Sequence, residues 1–196
     1  MKSLKISAVL AAALFIFSNS SYASTYKIDL DHSTVGFKIR HLLSYTQGQF
    51  NEFDGIFDYD PEKPENSKVE VTVKAASIDT NVKQRDDHLR SKDFFDVEQF
   101  PPLSFKSTKF EALSPEKGKL EGLLTLHGVE KPISFDVDIH GIAKDAWGNV
   151  RSAFSAAAKI NRKDFGLSWN KALETGQVMV GEEVIIQLEV EGIQQS

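Results

Sequence analysis

Cysteine is absent from all 196 residues. That excludes disulfides, zinc–thiolate centres and a thiol nucleophile, so the fold must be held by packing and hydrogen bonds alone. Basic charge is in short supply: 23 Lys and Arg stand against 28 Asp and Glu, for a formal net charge of −5. Nucleic acid is excluded as a partner, because phosphate binding needs clustered basic side chains. Catalytic signatures are lacking too. There is no G-x-S-x-G elbow and no Gly-rich phosphate loop, and His32, His41, His88, His127 and His140 form neither HxH nor HExxH. No catalytic residue, metal-ligand set or cofactor is therefore assigned. The pairs Asp86–Asp87 and Asp93–Asp96 have no identifiable neighbour to raise a carboxyl pKa for acid–base work, and read as a solvated or helix-end acid cluster.

Long apolar runs are also scarce. The one present, Ile6 to Phe17, is shorter than the roughly 20 residues that span a bilayer as a helix. Lys2 and Lys5 precede it, and the small, polar stretch "SNSSYAS" follows, with Ser21 and Ala23 at the positions a signal peptidase reads. The pattern predicts a signal peptide over residues 1–23, a single mature domain over residues 24–196 and a periplasmic destination. An uncleaved membrane anchor is the alternative; a lipoprotein anchor needs a cysteine. The two leader lysines are its only charged residues, so the mature chain is more acidic still.

Period-two alternation is abundant, and it marks half-buried strands. "KVEVTVKA" sets Val69, Val71 and Val73 against Glu70, Thr72 and Lys74; "PISFDVDIHG" sets Ile133, Phe135, Val137 and Ile139 against Ser134, Asp136, Asp138 and His140. "EVIIQLEVEG" puts Val184, Ile186, Leu188 and Val190 on one face, and "VRSAFSAAAKI" puts Phe154, Ala156, Ala158 and Ile160 in register. Turn chemistry separates the runs: a hairpin loop with Gly118 in "SPEKGK", a short turn at Gly128 in "HGVEKP", and a tip in "DAWGN". Roughly eight strands at such spacing predict an antiparallel sandwich or barrel. Only "RDDHLRSKDFFD" and its approach break the alternation. A helix is expected from Asn81 to Ser91, capped by Thr80 or Asn81, with Val82, Arg85 and Leu89 on one face and Phe94 and Phe95 just beyond its end.

Fourteen phenylalanines are present, two of them (Phe15 and Phe17) in the leader. "QFNEFDGIFDYD" places Phe53, Phe57 and Tyr59 on one face with Gly55 between them, a sign of strand bending. A barrel of about eight strands is wide enough either to fill with side chains or to hold one small ligand, and composition does not choose.

Six pieces in order resemble the YceI-like family of exported lipid-binding proteins: "DHSTVGFKIRH", "GQFNEFDGIFDYD", "RDDHLRSKDFFD", "FPPLSFKST", "GLLTLHGVEKPISF" and "NRKDFGLSW". The resemblance implies an all-β, lipocalin-like, eight-stranded antiparallel barrel with a short helical segment. Its interior is expected to hold a polyisoprenoid, including quinone types, or another long-chain lipid. Dimers occur in the family, so a homodimer is expected, and its members are not generally known as enzymes. The apolar wall is then expected at Phe37, Phe53, Phe57, Phe105, Phe135 and Phe154, closed by Leu89, Phe94 and Phe95. Arg85, His88 and Arg90 are expected at a polar mouth. A helix that only plugs the barrel, held by local ion pairs, is the plainer account of the same segment. Two other functions stay open: an enzyme acting on a barrel-bound lipid with His88 or His127 as base, and a solid-cored, stress-related scaffold.

Overall fold

The computed structural model describes residues 23–172 and 178–195. The expected signal peptide, apart from Ala23, lies outside the described residues. The strands are β1 (Ser24–Ile28), β2 (Thr34–His41), β3 (Ser44–Phe50), β4 (Phe53–Tyr59), β5 (Lys68–Lys74), β6 (Ile78–Asp79), β7 (Pro102–Ser114), β8 (Lys117–Leu126), β9 (Val129–Lys144), β10 (Val150–Asn161) and β11 (Val180–Gln194). Among the described residues there is one α-helix, α1 (Lys83–Arg90), which follows β6.

Eight strands close on themselves in the order β1-β4-β5-β7-β8-β9-β10-β11 and back to β1, every pairing antiparallel. This is the expected barrel. The remaining three strands come from a split in its wall. β11 pairs with β1 through Tyr26↔Gln194 at its C-terminal end, and with β2 from Thr34↔Glu189 to His41↔Val180 along the rest. One long strand thus serves two partners end to end. From β2 the sheet runs on through β3 to the short β6, and α1 follows where that extension ends.

The alternating runs fold as their pattern dictates. Leu120, Leu124 and Leu126 of β8 and Phe135, Val137 and Ile139 of β9 are buried, while their neighbours along each strand are not. Outside, cross-strand pairs such as Lys106–Glu70 and Lys117–Asp138 are exposed on both partners and contribute little each. The ladders and the inward apolar face hold the wall.

Three local expectations are corrected. Gly118 is not in a loop: β7 ends at Ser114, β8 starts at Lys117, and Gly118 pairs with Ala112 inside the ladder. A Cβ there would sit 2.2 Å from the Phe110 ring, so the absence of a side chain is what lets that ring lie across the neighbouring strand. The helix begins after Val82, not at Thr80 or Asn81, and no side chain caps it. Asn81 has a left-handed φ of 61° and takes the Asp79 carboxylate on its N–H, which ends the strand before helix can start. Finally, Asp86 is not solvated. It is 6% exposed and accepts from the N–H and hydroxyl of Thr80 at 2.9 and 2.5 Å. The expected turn at Gly128 is present: His127 and Gly128 both have positive φ, 51° and 73°, the geometry of a tight hairpin whose twist matches its strands.

At the barrel end opposite the helix, Arg151 joins three carboxylates. Its Nη1 donates to Asp29 at 2.7 Å and Glu191 at 2.6 Å, and its Nε donates to Asp145 at 2.9 Å. Asp29, His32 and Glu191 cluster closely enough to suggest a metal site, but the guanidinium already supplies their positive charge. The Arg151 hydrogen bonds hold the Asp29 and Asp145 carboxyls below the usual carboxylate range. A carboxyl with a depressed folded pKa adds stability above its unfolded value of about 3.9 and loses it as pH falls. Arg151→Met should therefore lower the melting temperature by more at pH 7 than at pH 3. Equal losses at both pH values in thermal melts would show that the pairs add no linked stability.

Candidate functional site

The inward faces enclose a cavity of about 410 Å³. Val69, Val71 and Val73 of β5 form one wall, and Val184, Ile186, Leu188 and Val190 of β11 form another. Aromatic rings knit the walls. Tyr26 stacks on Phe57 with centroids 5.0 Å apart, Phe154 meets Phe57 and Tyr59 edge-on at 5.2 and 5.1 Å, and Phe105 meets Phe135 at 5.3 Å. These contacts leave the interior almost wholly apolar. Burial pushes the Tyr26 and Tyr59 hydroxyls above their ordinary pKa.

The nine residues expected in the apolar wall and its closure border this cavity: Phe37, Phe53, Phe57, Phe105, Phe135 and Phe154 from the strands, and Leu89, Phe94 and Phe95 from the helical segment. That segment covers the end of the barrel where β6 stops. His88 meets Phe94 and Trp169 edge-on at 5.0 and 4.9 Å, and Phe95 meets Phe50 at 5.8 Å. His88 is also 40% exposed at its side chain and borders the cavity, so this cluster joins the interior to the surface. At the same rim the β2–β3 turn carries Leu42 and Leu43, the second 94% exposed. Leu42 adopts a left-handed φ of 52° and donates its N–H to Met179.

Of the three polar residues expected at the mouth, Arg85 and His88 border the cavity and Arg90 does not. Arg85 donates through Nε to the Thr80 hydroxyl at 2.7 Å and through Nη2 to the Thr80 carbonyl at 2.8 Å. His88 Nε2 lies 2.9 Å from the Asp93 carboxylate. Arg90 points the other way: Nε donates to Ala76 at 2.7 Å and Nη2 to Ile78 at 2.6 Å. Ala76 lies in the turn between β5 and β6 and Ile78 opens β6, so Arg90 ties the helix to the chain that enters β6. Val82, expected on the inward helix face, is 46% exposed. His127 is not among the cavity residues; it faces the Phe165 carbonyl at 3.2 Å and the Phe100 ring.

Sequence reasoning missed Arg162 and Trp169, which both border the cavity. Trp169 carries a readable signal, an aromatic in the family-like piece "NRKDFGLSW". Arg162 carries none, because one arginine at a strand end usually points to water.

A YceI-like domain matches residues 26–192 of the chain. A UPF0312 protein of Photorhabdus laumondii is 45% identical over 79% of this chain and 82% of its own length. Among solved structures, the YceI protein of Campylobacter jejuni is 35% identical, with a TM-score of 0.70 over 80% of this chain and 90% of that one. A polyisoprenoid binding domain from Saccharophagus degradans, implicated in plant cell wall breakdown, shares the fold: TM-score 0.64 at 13% identity, over 89% of this chain and all of that one.

The clamp by Arg90 is open to direct measurement. Hydrogen bonds from a charged donor contribute about 1.5–3 kcal/mol, so Arg90→Met should lower the free energy of unfolding in urea by about that much. A change under about 0.5 kcal/mol, the size expected of an ordinary surface substitution, would mean that the helix is held by its apolar face alone.

Proposed function

The chain belongs to the YceI-like family, and from that premise we propose that it is a periplasmic binding protein that sequesters or carries a polyisoprenoid or other long-chain lipid, quinone types included, inside its barrel. The observation that carries this reading is the nearly all-apolar cavity of about 410 Å³ inside the barrel. Its size falls within the range of small-molecule pockets, roughly 300–1,000 Å³. Each methylene moved from water into such a space contributes about 0.8 kcal/mol, so a chain of several isoprene units binds well through its tail alone. The polyisoprenoid-binding neighbour of the same fold supports the ligand class. The leader pattern of basic start, apolar run and small residues supports export.

The competing readings fare less well. A solid-cored scaffold does not describe a barrel with this interior. An enzyme using His127 as base would need that residue at the cavity, and it is elsewhere. His88 does border the cavity, but its Nε2 faces Asp93, and no serine or cysteine nucleophile motif accompanies it.

The test uses protein expressed with its leader, purified from the periplasm and extracted into organic solvent for mass spectrometry. A long apolar chain at near-stoichiometric amount is expected. Ala156 borders the cavity, and Ala156→Phe should displace much of that lipid while keeping a cooperative melt. Stripping lipid from the wild type should lower its melting temperature, because a ligand bound only to the folded state stabilises it. Folded, periplasmic wild type that yields no lipid would sink the reading.

A further inference from the structure

The β2–β3 connection runs against ordinary turn chemistry. His41 pairs with Ser44, so the turn itself is only Leu42 and Leu43. Two-residue hairpin turns favour Gly, Asn or Asp, because their first central position takes a positive φ. Leu42 holds that position at 52° and is 40% exposed, and Leu43 is 94% exposed. Tyr45, just beyond, is exposed as well. A bulky side chain is strained in the left-handed region, and an exposed one gains nothing from the core. Neither leucine borders the cavity. Asn and Gly would serve the turn better, so the two leucines answer to something outside the fold.

The turn stands beside the opening of the cavity. The Leu42 N–H donates to the Met179 carbonyl at 3.0 Å. Met179, His41, Thr46 and Trp169 all border the cavity yet are only partly buried, so the interior reaches the surface here. The local charge is also unlike the rest of this acidic chain. No Asp or Glu stands between Asp31 and Glu52, and the hairpin carries Lys38 and Arg40. Arg40 Nε donates to the Leu42 carbonyl at 3.0 Å, which keeps the cation at the turn, and Lys38 Nζ lies 5.8 Å from the centre of the Tyr45 ring. Among the described residues no carboxylate pairs with either cation. Glu182 and Glu183, on the strand facing Arg40, are taken by Lys163 and Lys159. The helical segment across the opening is mixed in charge and pairs within itself, as in Lys83–Asp87 and His88–Asp93. Charges farther off are screened beyond about 8 Å at physiological salt.

We propose that the β2–β3 tip docks the barrel on anionic phospholipid bilayers. Leu42 and Leu43 enter the interface, Lys38 and Arg40 meet the head groups, and a guest passes between bilayer and cavity without crossing water. The proposal rests on the lipid-binding reading and names the surface with which the cavity exchanges its guest. Apolar side chains flanked by cations are the chemistry of an interfacial anchor. Contact matters because each methylene of the guest that enters water costs about fourfold in equilibrium constant. A second copy of the chain fits the tip less well. A stable protein interface covers about 800 Å² on each partner, and two leucines and a tyrosine at a hairpin tip offer far less.

The test is flotation of full-length mature protein with vesicles of phosphatidylcholine, alone or with about one-third phosphatidylglycerol to supply the negative surface. Two cations at about fivefold each near such a surface should favour the anionic vesicles by at least about tenfold. Raising the ionic strength from about 0.1 M to about 1 M shortens the screening length from about 10 Å to about 3 Å and should remove most of that preference. Lys38→Gln combined with Arg40→Gln should erase it. Leu43→Ser should weaken flotation about tenfold, the lower range for burying one leucine. Leu42→Asn should weaken it too without lowering the melting temperature, because Asn tolerates a positive φ. Both leucine variants should keep the wild-type lipid content after purification. If lipid-bearing wild type floats with neither vesicle, the proposal is overturned and the lipid reading stands. Equal flotation of wild type and folded Leu43→Ser protein overturns it as well. So does a Leu43→Ser change that lowers the oligomeric state in size-exclusion chromatography and leaves flotation unaltered, since the tip is then a contact between copies. Wild type that carries no lipid removes the lipid reading and the exchange role with it.

Discussion

Everything in this molecule depends on the closure of one sheet. A strand edge left unpaired exposes a row of N–H and C=O groups, and a barrel removes the edge by returning to its first strand. Here the return is made by β1, five residues from Ser24 to Ile28, which pairs with β4 on one side and β11 on the other. Once the ring is closed with eight members, its circumference is set by strand spacing and not by side-chain volume. An eight-stranded ring is just wide enough for side chains to fill or for one ligand to occupy. The side chains then decide, and in this chain they leave space. Gly118 and Gly122 lie under the rings of Phe110 and Phe105 on the neighbouring strand, close enough that a Cβ on either would collide. Aromatic rings laid flat along the wall cover area without filling the centre.

The split in the wall follows from the same geometry. β11 is longer than the partners beside it, so β1 and β2 share one of its edges and the sheet forks toward β3 and β6. The fork leaves a stretch of barrel end without strands. The helical segment closes it with apolar side chains inward and charged ones at the seam. Arg90 binds the carbonyls of Ala76 and Ile78, where the chain enters β6, and Asp86 satisfies Thr80. Charges here work as hydrogen-bond donors and acceptors for irregular backbone. The mixed composition of "RDDHLRSKDFFD" is thus the composition of a seal, with His88 and Arg85 left at the cavity edge.

The sequence disclosed the facing of side chains far better than the neighbours they meet. Alternation in "KVEVTVKA" and "EVIIQLEVEG" assigned Val69 to Val73 and Val184 to Val190 to the interior, because a strand has only two faces and the apolar one goes in. The His127–Gly128 turn was legible because few residue pairs accept two positive φ values. Gly118 was misread as a loop residue because glycine signals both turn and close approach, and the choice between them depends on Phe110 across the ladder. Arg90 was misplaced and Arg162 missed for a related reason. An arginine in sequence is simply a long cation; whether it clamps backbone, as Arg90 does, or lies buried at a cavity, as Arg162 does, depends on which carbonyls the fold brings within its reach.

The hollow interior has a thermodynamic consequence that binds these features together. Core space that protein atoms do not fill costs about 24 cal/mol per Å³ in lost contacts. For about 410 Å³ that is on the order of 10 kcal/mol relative to a filled core, comparable to the whole net stability of a typical domain, about 5–15 kcal/mol. A chain with no cysteine has no disulfide to offset it. Collapse is the obvious escape, and the ring forbids it: narrowing the barrel would break ladder hydrogen bonds whose groups have no other partners inside an apolar wall. The same ladders that make the barrel tolerate the space keep it open, so an apolar guest gains the contacts that the protein forgoes without first having to make room for itself.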